Sequence, residues 1–275
     1  MASDAGVAPG RSMPDPQRFT VSIAGAVARL HMVWAESRNA IDPLWCTELE
    51  AALDHVEKNG SARALLISAD GPAFTVGGDM RHFSAQRDRM ADELHDMIGS
   101  YHRSLDRLAG LPVPVISAIN GAAAGGGLGL VWCSDVVVAA DDAKFATGFA
   151  ALGLSGDGAS TWFLPRLVGL RRAKEMILHN RILSAAEALD WGLIDRIVPL
   201  ADLPAEAEAV AVAMAAGPTI AYGKMRRLLW RSFSVDLGDQ LIAELEAITE
   251  CGSTADAREG VAAFVERRPP KFTGR

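Results

Sequence analysis

The chain has 275 residues, 49% of them apolar, and a formal net charge of -7 at pH 7, which suits one large core or two unequal units. No run of Lys or Arg is long enough to follow a phosphate backbone, which argues against nucleic-acid partners. No stretch offers the roughly 18 uninterrupted apolar residues of a membrane span either. The three cysteines, Cys46, Cys133 and Cys251, match neither a metal-ligand spacing nor a disulfide framework. The expectation is a soluble protein of a reducing cytoplasm with no metal site.

Residues 1–18 mix Pro, Gly and charge without an apolar core and read as a disordered leader. From Phe19 to Val33 the pattern alternates as a strand pair that turns near Gly25. Helical spacing follows, with Asp42 as N-cap, Pro43 at the first helical position and Gly60 as the stop. Next come an apolar strand, ALLIS, a loop at GPAFTVGGD, a long helix from about Arg87 to Leu108, and a second buried strand, VPVISAI. A glycine-rich segment, GAAAGGGLGLVWCSD, leads to a third strand, VVVAA. Strands that alternate with helices predict α/β architecture with a parallel sheet buried on both faces. Beyond Ser160 strand signals nearly vanish, and helical segments are expected at 170–179, 184–190, 202–216, 218–231, 236–250 and 254–266.

The glycine cluster invites a dinucleotide-binding reading, but no frame through Gly121, Gly125, Gly126, Gly127 and Gly129 gives G-x-G-x-x-G. Instead, GGG opens a short buried helix whose first N–H groups have no partner within the helix. With no side chain in the way, a ligand oxygen can approach such donors closely, and two of them aimed at one oxygen make an oxyanion hole. Glycines needed only for tight helix packing would read the same way.

A second loop, AFTVGGDM, is too apolar and glycine-rich for a routine connection. A-F-x-x-G-x-D, followed about 40 residues later by N-G-x-x-x-G-G-G, resembles the crotonase (enoyl-CoA hydratase/isomerase) superfamily, here as AFTVGGD and NGAAAGGGLG. The resemblance implies a spiral core of repeated ββα units over residues 19–200 and a helical region over 201–275 that assembles a homotrimer or dimer of trimers. It implies a coenzyme A thioester as substrate, with no separate cofactor. The backbone N–H groups of Val76 and Gly126 are then expected to bind the thioester oxygen. Arg38, Ala40, Ala73, Gly78, Asp79 and Met80 are expected to contact CoA, with Arg38 and Arg81 facing phosphates or simply solvent. Gly125, Phe149, Leu152 and Trp162 are expected around the acyl group, and Lys271 and Phe272 resemble C-terminal residues that approach a neighbouring subunit's CoA.

The resemblance also locates what is missing. Hydratases of this superfamily use two glutamates to deliver the parts of water, and this chain has Gly129 and Phe149 at those positions. A third acidic position is filled: GLSGDGASTWFLPR places Asp157 where isomerase-type members carry an Asp, closest to the ring-1,2-epoxyphenylacetyl-CoA isomerase-like group. One carboxylate suffices to move a proton between two carbons of an enolate. An alternative pairs Asp157, as nucleophile, with His102, as in 4-chlorobenzoyl-CoA dehalogenase, although that enzyme has Trp at the position of Phe149. A non-catalytic acyl-CoA-binding homologue is the third reading.

Overall fold

The computed structural model describes residues 18–275; the leader reading falls almost wholly outside them. Two mixed sheets organise the chain. The larger has the order β1-β2-β3-β5-β7-β10, from β1 (Phe19–Ala24), β2 (Val27–Met32), β3 (Ala64–Ala69), β5 (Val115–Ile119), β7 (Val136–Ala140) and β10 (Arg196–Val198). The smaller has the order β4-β6-β8-β9, from β4 (Ala73–Thr75), β6 (Ala122–Ala124), β8 (Lys144–Ala146) and β9 (Leu183–Ser184).

Chain order explains the architecture. Each of three successive turns lays one strand in the large sheet and the next in the small one: β3 then β4, β5 then β6, β7 then β8. All neighbouring pairs within these two sets are parallel, as right-handed crossovers require. The result is the expected α/β spiral of repeated ββα units.

Period-two alternation sorts the residues of the large sheet. Leu65 and Ile67 of β3, with Val115 and Ile119 of β5, enter the main core; Ala64, Leu66, Ile116 and Ala118 enter a second core on the other face. Both faces are dry, so these strands read as continuous apolar runs. Each fully buried Leu or Ile contributes about 1.5–3 kcal/mol.

Helix Pro43–Asn59 starts as its sequence predicts. The Asp42 carboxylate accepts the Trp45 N–H at 2.7 Å, Pro43 occupies the first turn, and Gly60 ends the helix at φ 66°. Its Trp45, Leu49 and Leu53 are fully buried alongside helix Met90–Gly110, from which Tyr101, Leu105 and Leu108 point inward. On the opposite face, helix Leu203–Ala215 supplies Leu203, Ala207, Val210 and Ala211 to the second core. By packing, the first helix of the 201–275 region therefore belongs to the sheet. The last three helices, Thr219–Arg231, Leu237–Gly252 and Ala255–Glu266, bury little of their own surface.

Two expectations need correcting. The long helix near residue 87 starts at Met90, after a separate short helix, Met80–Ala85, capped by the Asp79 carboxylate. The helix expected at 170–179 begins at Ser160 and continues past Pro165, with a break at Gly169 (φ 77°, ψ 157°). Among the described residues, no helix is long and apolar enough to cross a membrane.

Candidate active site

The small sheet positions the site. Its strands β4 and β6 run parallel and deliver the two glycine loops side by side, so that a β-carbon on Gly125 would lie 3.2 Å from the Gly77 Cα. After β6 the chain makes one turn of 3-10 helix, Gly125–Gly127, and continues as the buried helix Leu128–Trp132. The Gly126 N–H lies in the first turn, where no helical carbonyl can accept it.

The partner donor is not the expected one. Val76 donates its N–H to the Arg38 carbonyl at 3.2 Å, so it is not available to a ligand. An N–H without such a partner lies two residues on. Ile41 pairs with Gly78 in a parallel bridge: it donates to the Gly77 carbonyl at 2.8 Å and accepts from the Asp79 N–H at 2.9 Å. In such a bridge the central residue's own N–H faces away from its partner strand. The Gly78 N–H has no hydrogen-bond partner among the described residues, and Gly78 lines the same cavity as Gly126.

Asp157 enters from a third direction, on the turn before helix Ser160–Leu178. A β-carbon on Gly126 would sit 2.8 Å from the Asp157 Oδ2, and one on Gly158 would sit 2.1 Å from the Gly126 carbonyl oxygen. The turn holds two consecutive left-handed residues, Gly158 (φ 58°) and Ala159 (φ 55°), and for alanine that conformation costs about 1–2 kcal/mol. Tight backbone contact between the 126 and 158 segments thus keeps the carboxylate against the end of the glycine turn.

The other carboxylate oxygen meets helix Met90–Gly110: His102 Nε2 lies 2.6 Å from the Asp157 Oδ1. One residue earlier, the wholly buried Tyr101 donates its hydroxyl to the Gly126 carbonyl at 2.8 Å. Burial, reinforced by the charge of Asp157, pushes the Tyr101 phenol well above its usual value. It stays protonated and remains a donor. Sequence reasoning missed Tyr101, because a tyrosine on an amphipathic helix reads as core until the Gly126 carbonyl is placed beneath it.

The positions of the missing acids are filled. Gly129 is fully enclosed: a β-carbon there would lie 2.7 Å from the Leu105 Cδ1 and 2.9 Å from both the Tyr101 hydroxyl and the Gly158 carbonyl. Phe149 is buried and lines the cavity. That cavity, about 350 Å³, is walled by Phe83, Leu94, Met97, Ile98, Phe149 and Leu154, and Asp157 is its only carboxylate among the described residues.

Residues 22–275 match the family model described as "Enoyl-CoA hydratase/isomerase". The chain belongs to the enoyl-CoA hydratase/isomerase family. A Rhodobacter capsulatus protein named "Probable enoyl-CoA hydratase" is 38% identical over 94% of this chain and 98% of its own length. The 1,2-epoxyphenylacetyl-CoA isomerase of Escherichia coli is 36% identical over 87% of this chain and 92% of its own. The crystal structure of an enoyl-CoA hydratase from Bacillus anthracis superposes with a TM-score of 0.88 at 29% identity, covering 94% of this chain and all of that one. Curated homologues include hydratases, isomerases and dehalogenases. This is therefore a crotonase-fold enzyme with an acyl-CoA type of substrate.

Family membership gives the neighbouring surface channel its meaning. It has a volume of about 630 Å³ and is lined by Trp34, Arg38, Ala40, Asp79 and Arg81, and it shares Val76, Gly78 and Met80 with the acyl cavity. Arg38 and Asn39 both adopt left-handed backbone angles (φ 56° and 54°), pinned by Asn39 Nδ2, which donates to the Asp70 and Ala73 carbonyls at 3.0 Å. Gly125 and Leu152 line the cavity that holds Asp157, Leu152 at its exposed edge.

Two expected contacts are not brought to the site. Ala73 is buried within β4 and lines neither cavity, because its role is to start the strand that carries the loop. Trp162 lies behind Asp157 in a separate hollow, packed on Phe163 and Trp230 and covered by Arg166. At the C-terminus, the Lys271 N–H is donated to Glu259 at 2.8 Å.

Proposed function

We propose that the protein is an acyl-CoA isomerase that moves a proton through a thioester enolate, with Asp157 as acid and base. The observation that carries this reading is the position of Asp157: among the described residues it is the only carboxylate lining the acyl cavity, and its Oδ2 faces Gly126. With the thioester oxygen on the Gly78 and Gly126 N–H groups, the adjacent carbon comes next to Oδ2. Oδ2 takes a proton from one carbon, the electron pair delocalises onto the thioester oxygen, and the carboxylic acid returns the proton at another carbon. The two N–H groups strengthen as donors when negative charge develops on that oxygen, and each such donor is worth about 10²–10³ in rate. The absence of a second acid supports isomerisation over hydration, which needs two groups to deliver the parts of water.

The deciding experiment follows proton exchange at the substrate α-carbon in deuterated buffer by NMR. Asp157→Asn is expected to bind acyl-CoA and to lose exchange and isomerisation by about 10²–10⁴-fold. Retained turnover in that variant would overturn the reading.

The 2.6 Å contact between His102 and Asp157 favours one alternative, attack of Asp157 on an aryl-CoA carbon followed by His102-assisted hydrolysis of the aspartyl ester. In oxygen-18 water a single turnover would then label the Asp157 carboxylate. An unlabelled carboxylate after turnover would exclude it.

We also propose that the C-terminal helices pack between copies of the chain, as a trimer or dimer of trimers. Leu237, Leu245, Ile248, Val261, Phe264 and Val265 are all at least two-thirds exposed, more apolar surface than a monomer usually leaves in water. Leu245→Glu is expected to lower the mass measured by sedimentation; an unchanged mass would place the interface elsewhere.

A further inference from the structure

Asp157 presents its two oxygens to two different places. Oδ2 lies against Gly126, at the reacting end of the acyl cavity, while Oδ1 is held by His102. The two side chains differ in exposure: that of Asp157 is 20% exposed and that of His102 51%. His102 lines the acyl cavity and also a second hollow of about 240 Å³ on its other side, walled by Leu105, Asp106, Ala109, Ala159, Trp162 and Phe163. Among the described residues this hollow shares no other residue with the acyl cavity and none with the channel between Trp34 and Arg81. A ligand filling the front of the site therefore leaves the rear approach to His102 open.

We infer that His102 is a relay that exchanges the proton carried by Asp157 with water through this rear hollow, so that the enzyme mixes substrate and solvent protons during turnover. The inference rests on the isomerase reading of Asp157 and adds to it the route by which solvent reaches the shuttle. Oδ2 takes the carbon-bound proton, leaving a thioester enolate and a neutral carboxyl group. A half-turn about the Cβ–Cγ bond brings that O–H to His102 Nε2, which in the neutral Nδ1–H tautomer accepts the proton. The pair is then carboxylate and imidazolium. The half-exposed imidazole swings from Asp157 into the hollow, where Nε2 gives that proton to water and takes one from solvent, and it swings back to return the solvent proton to Asp157 before reprotonation of carbon. Nothing is oxidised or reduced, and His102 ends as it began. His102 acts through Asp157 and touches no reacting carbon, which makes it a relay and positioning residue.

The test converts trans-3-hexenoyl-CoA to the 2-enoyl isomer in deuterium oxide and reads deuterium in the product by mass spectrometry, a ratio independent of how fast the variant works. The wild-type product is expected to carry mainly solvent deuterium. His102→Gln can still donate to Asp157 but cannot pass a proton on, so its product is expected to lose most of that label and keep the substrate's own hydrogen. Ala109→Phe fills the hollow without touching the His102–Asp157 contact, and is expected to lower the label in the same direction. Asp157-dependent turnover with full label in both variants would overturn the relay alone. Turnover that survives Asp157→Asn, or no isomerisation by the wild type, would overturn the isomerase reading and the relay with it.

Discussion

Gly126 leaves the space that the Asp157 carboxylate uses: a β-carbon at 126 would stand 2.8 Å from the Asp157 Oδ2. The same glycine has its carbonyl bonded by Tyr101 at 2.8 Å, leaving its N–H for the cavity. One residue thus joins the proposed oxyanion donor, its anchoring hydrogen bond and the seat of the proposed acid.

Gly126→Ala is expected to displace the carboxylate and lower turnover by about 10²-fold or more, the scale of losing an oxyanion donor, with a stability loss of about 1–3 kcal/mol from overpacking. Steady-state kinetics and denaturant titration measure both. Unchanged kinetics would mean that the carboxylate does not work from this position.

Tyr101→Phe removes a donor to the Gly126 carbonyl, which keeps the Leu128 N–H, and takes the hydroxyl acceptor from the Leu130 N–H in the interior. The expected destabilisation is about 1–3 kcal/mol, accompanied by a lower kcat with little change in KM, because the hydrogen bond orients the 126 peptide and not the CoA. Loss of stability with kcat intact would reduce Tyr101 to a packing residue.

Gly129→Glu restores an acid at a hydratase position in sequence but not in space. The Leu105 methyl and the Tyr101 hydroxyl already occupy the site of its β-carbon, so no hydration of crotonyl-CoA is expected. Gly129→Ala alone should cost about 1–3 kcal/mol, and the glutamate more. A stable Gly129→Glu protein that hydrates crotonyl-CoA would contradict the packing described.

Burial pushes the Cys46 and Cys133 thiols up to about 12. Near neutral pH neither has appreciable thiolate, and the thiolate is the reactive form. Both are expected to stay unmodified by iodoacetamide in the native protein and to react on unfolding. Peptide mass spectrometry distinguishes the two states.

At the C-terminus, the Arg268 guanidinium and the Lys271 N–H hold Glu259 down to about 2 from an ordinary 4.5. A depressed carboxylate contributes stability that is fully present above its unfolded value and lost as the pH falls through the folded one. The difference in Tm between wild type and Glu259→Gln is therefore expected to be constant above about pH 5, to shrink between there and about pH 2, and to vanish below. The exposure of the pair keeps it modest. A difference that grew on acidification would have the wrong sign.

Much of the fold is legible locally. The Asp42 cap, Pro43 at the first turn and Gly60 at the stop mark a helix whose limits the structure reproduces, and the apolar runs at 64–69, 115–119 and 136–140 are the central strands of the large sheet. The small sheet is not legible. Its strands β4, β6 and β8 have three residues each, too few for alternation to register, yet they deliver both glycine loops. Helix Met80–Ala85 escaped for a similar reason, being a turn and a half long.

The site divides in the same way. Set against the family resemblance, residue identities point to the chemistry that is missing, since Gly129 and Phe149 cannot transfer protons, and they leave Asp157 as the acid at the remaining position. What the tertiary structure alone decides is pairing. The resemblance implies Val76 as the donor, and only the approach of Arg38 and Ile41 to the loop shows the Val76 N–H occupied and that of Gly78 left without a partner among the described residues. Likewise nothing in the spacing joins His102 to an aspartate 55 residues away, or sets Tyr101 over the Gly126 carbonyl. Periodicity records which face of an element is buried; which group that face meets depends on how distant segments stack, and hydrogen bonds are made between those segments.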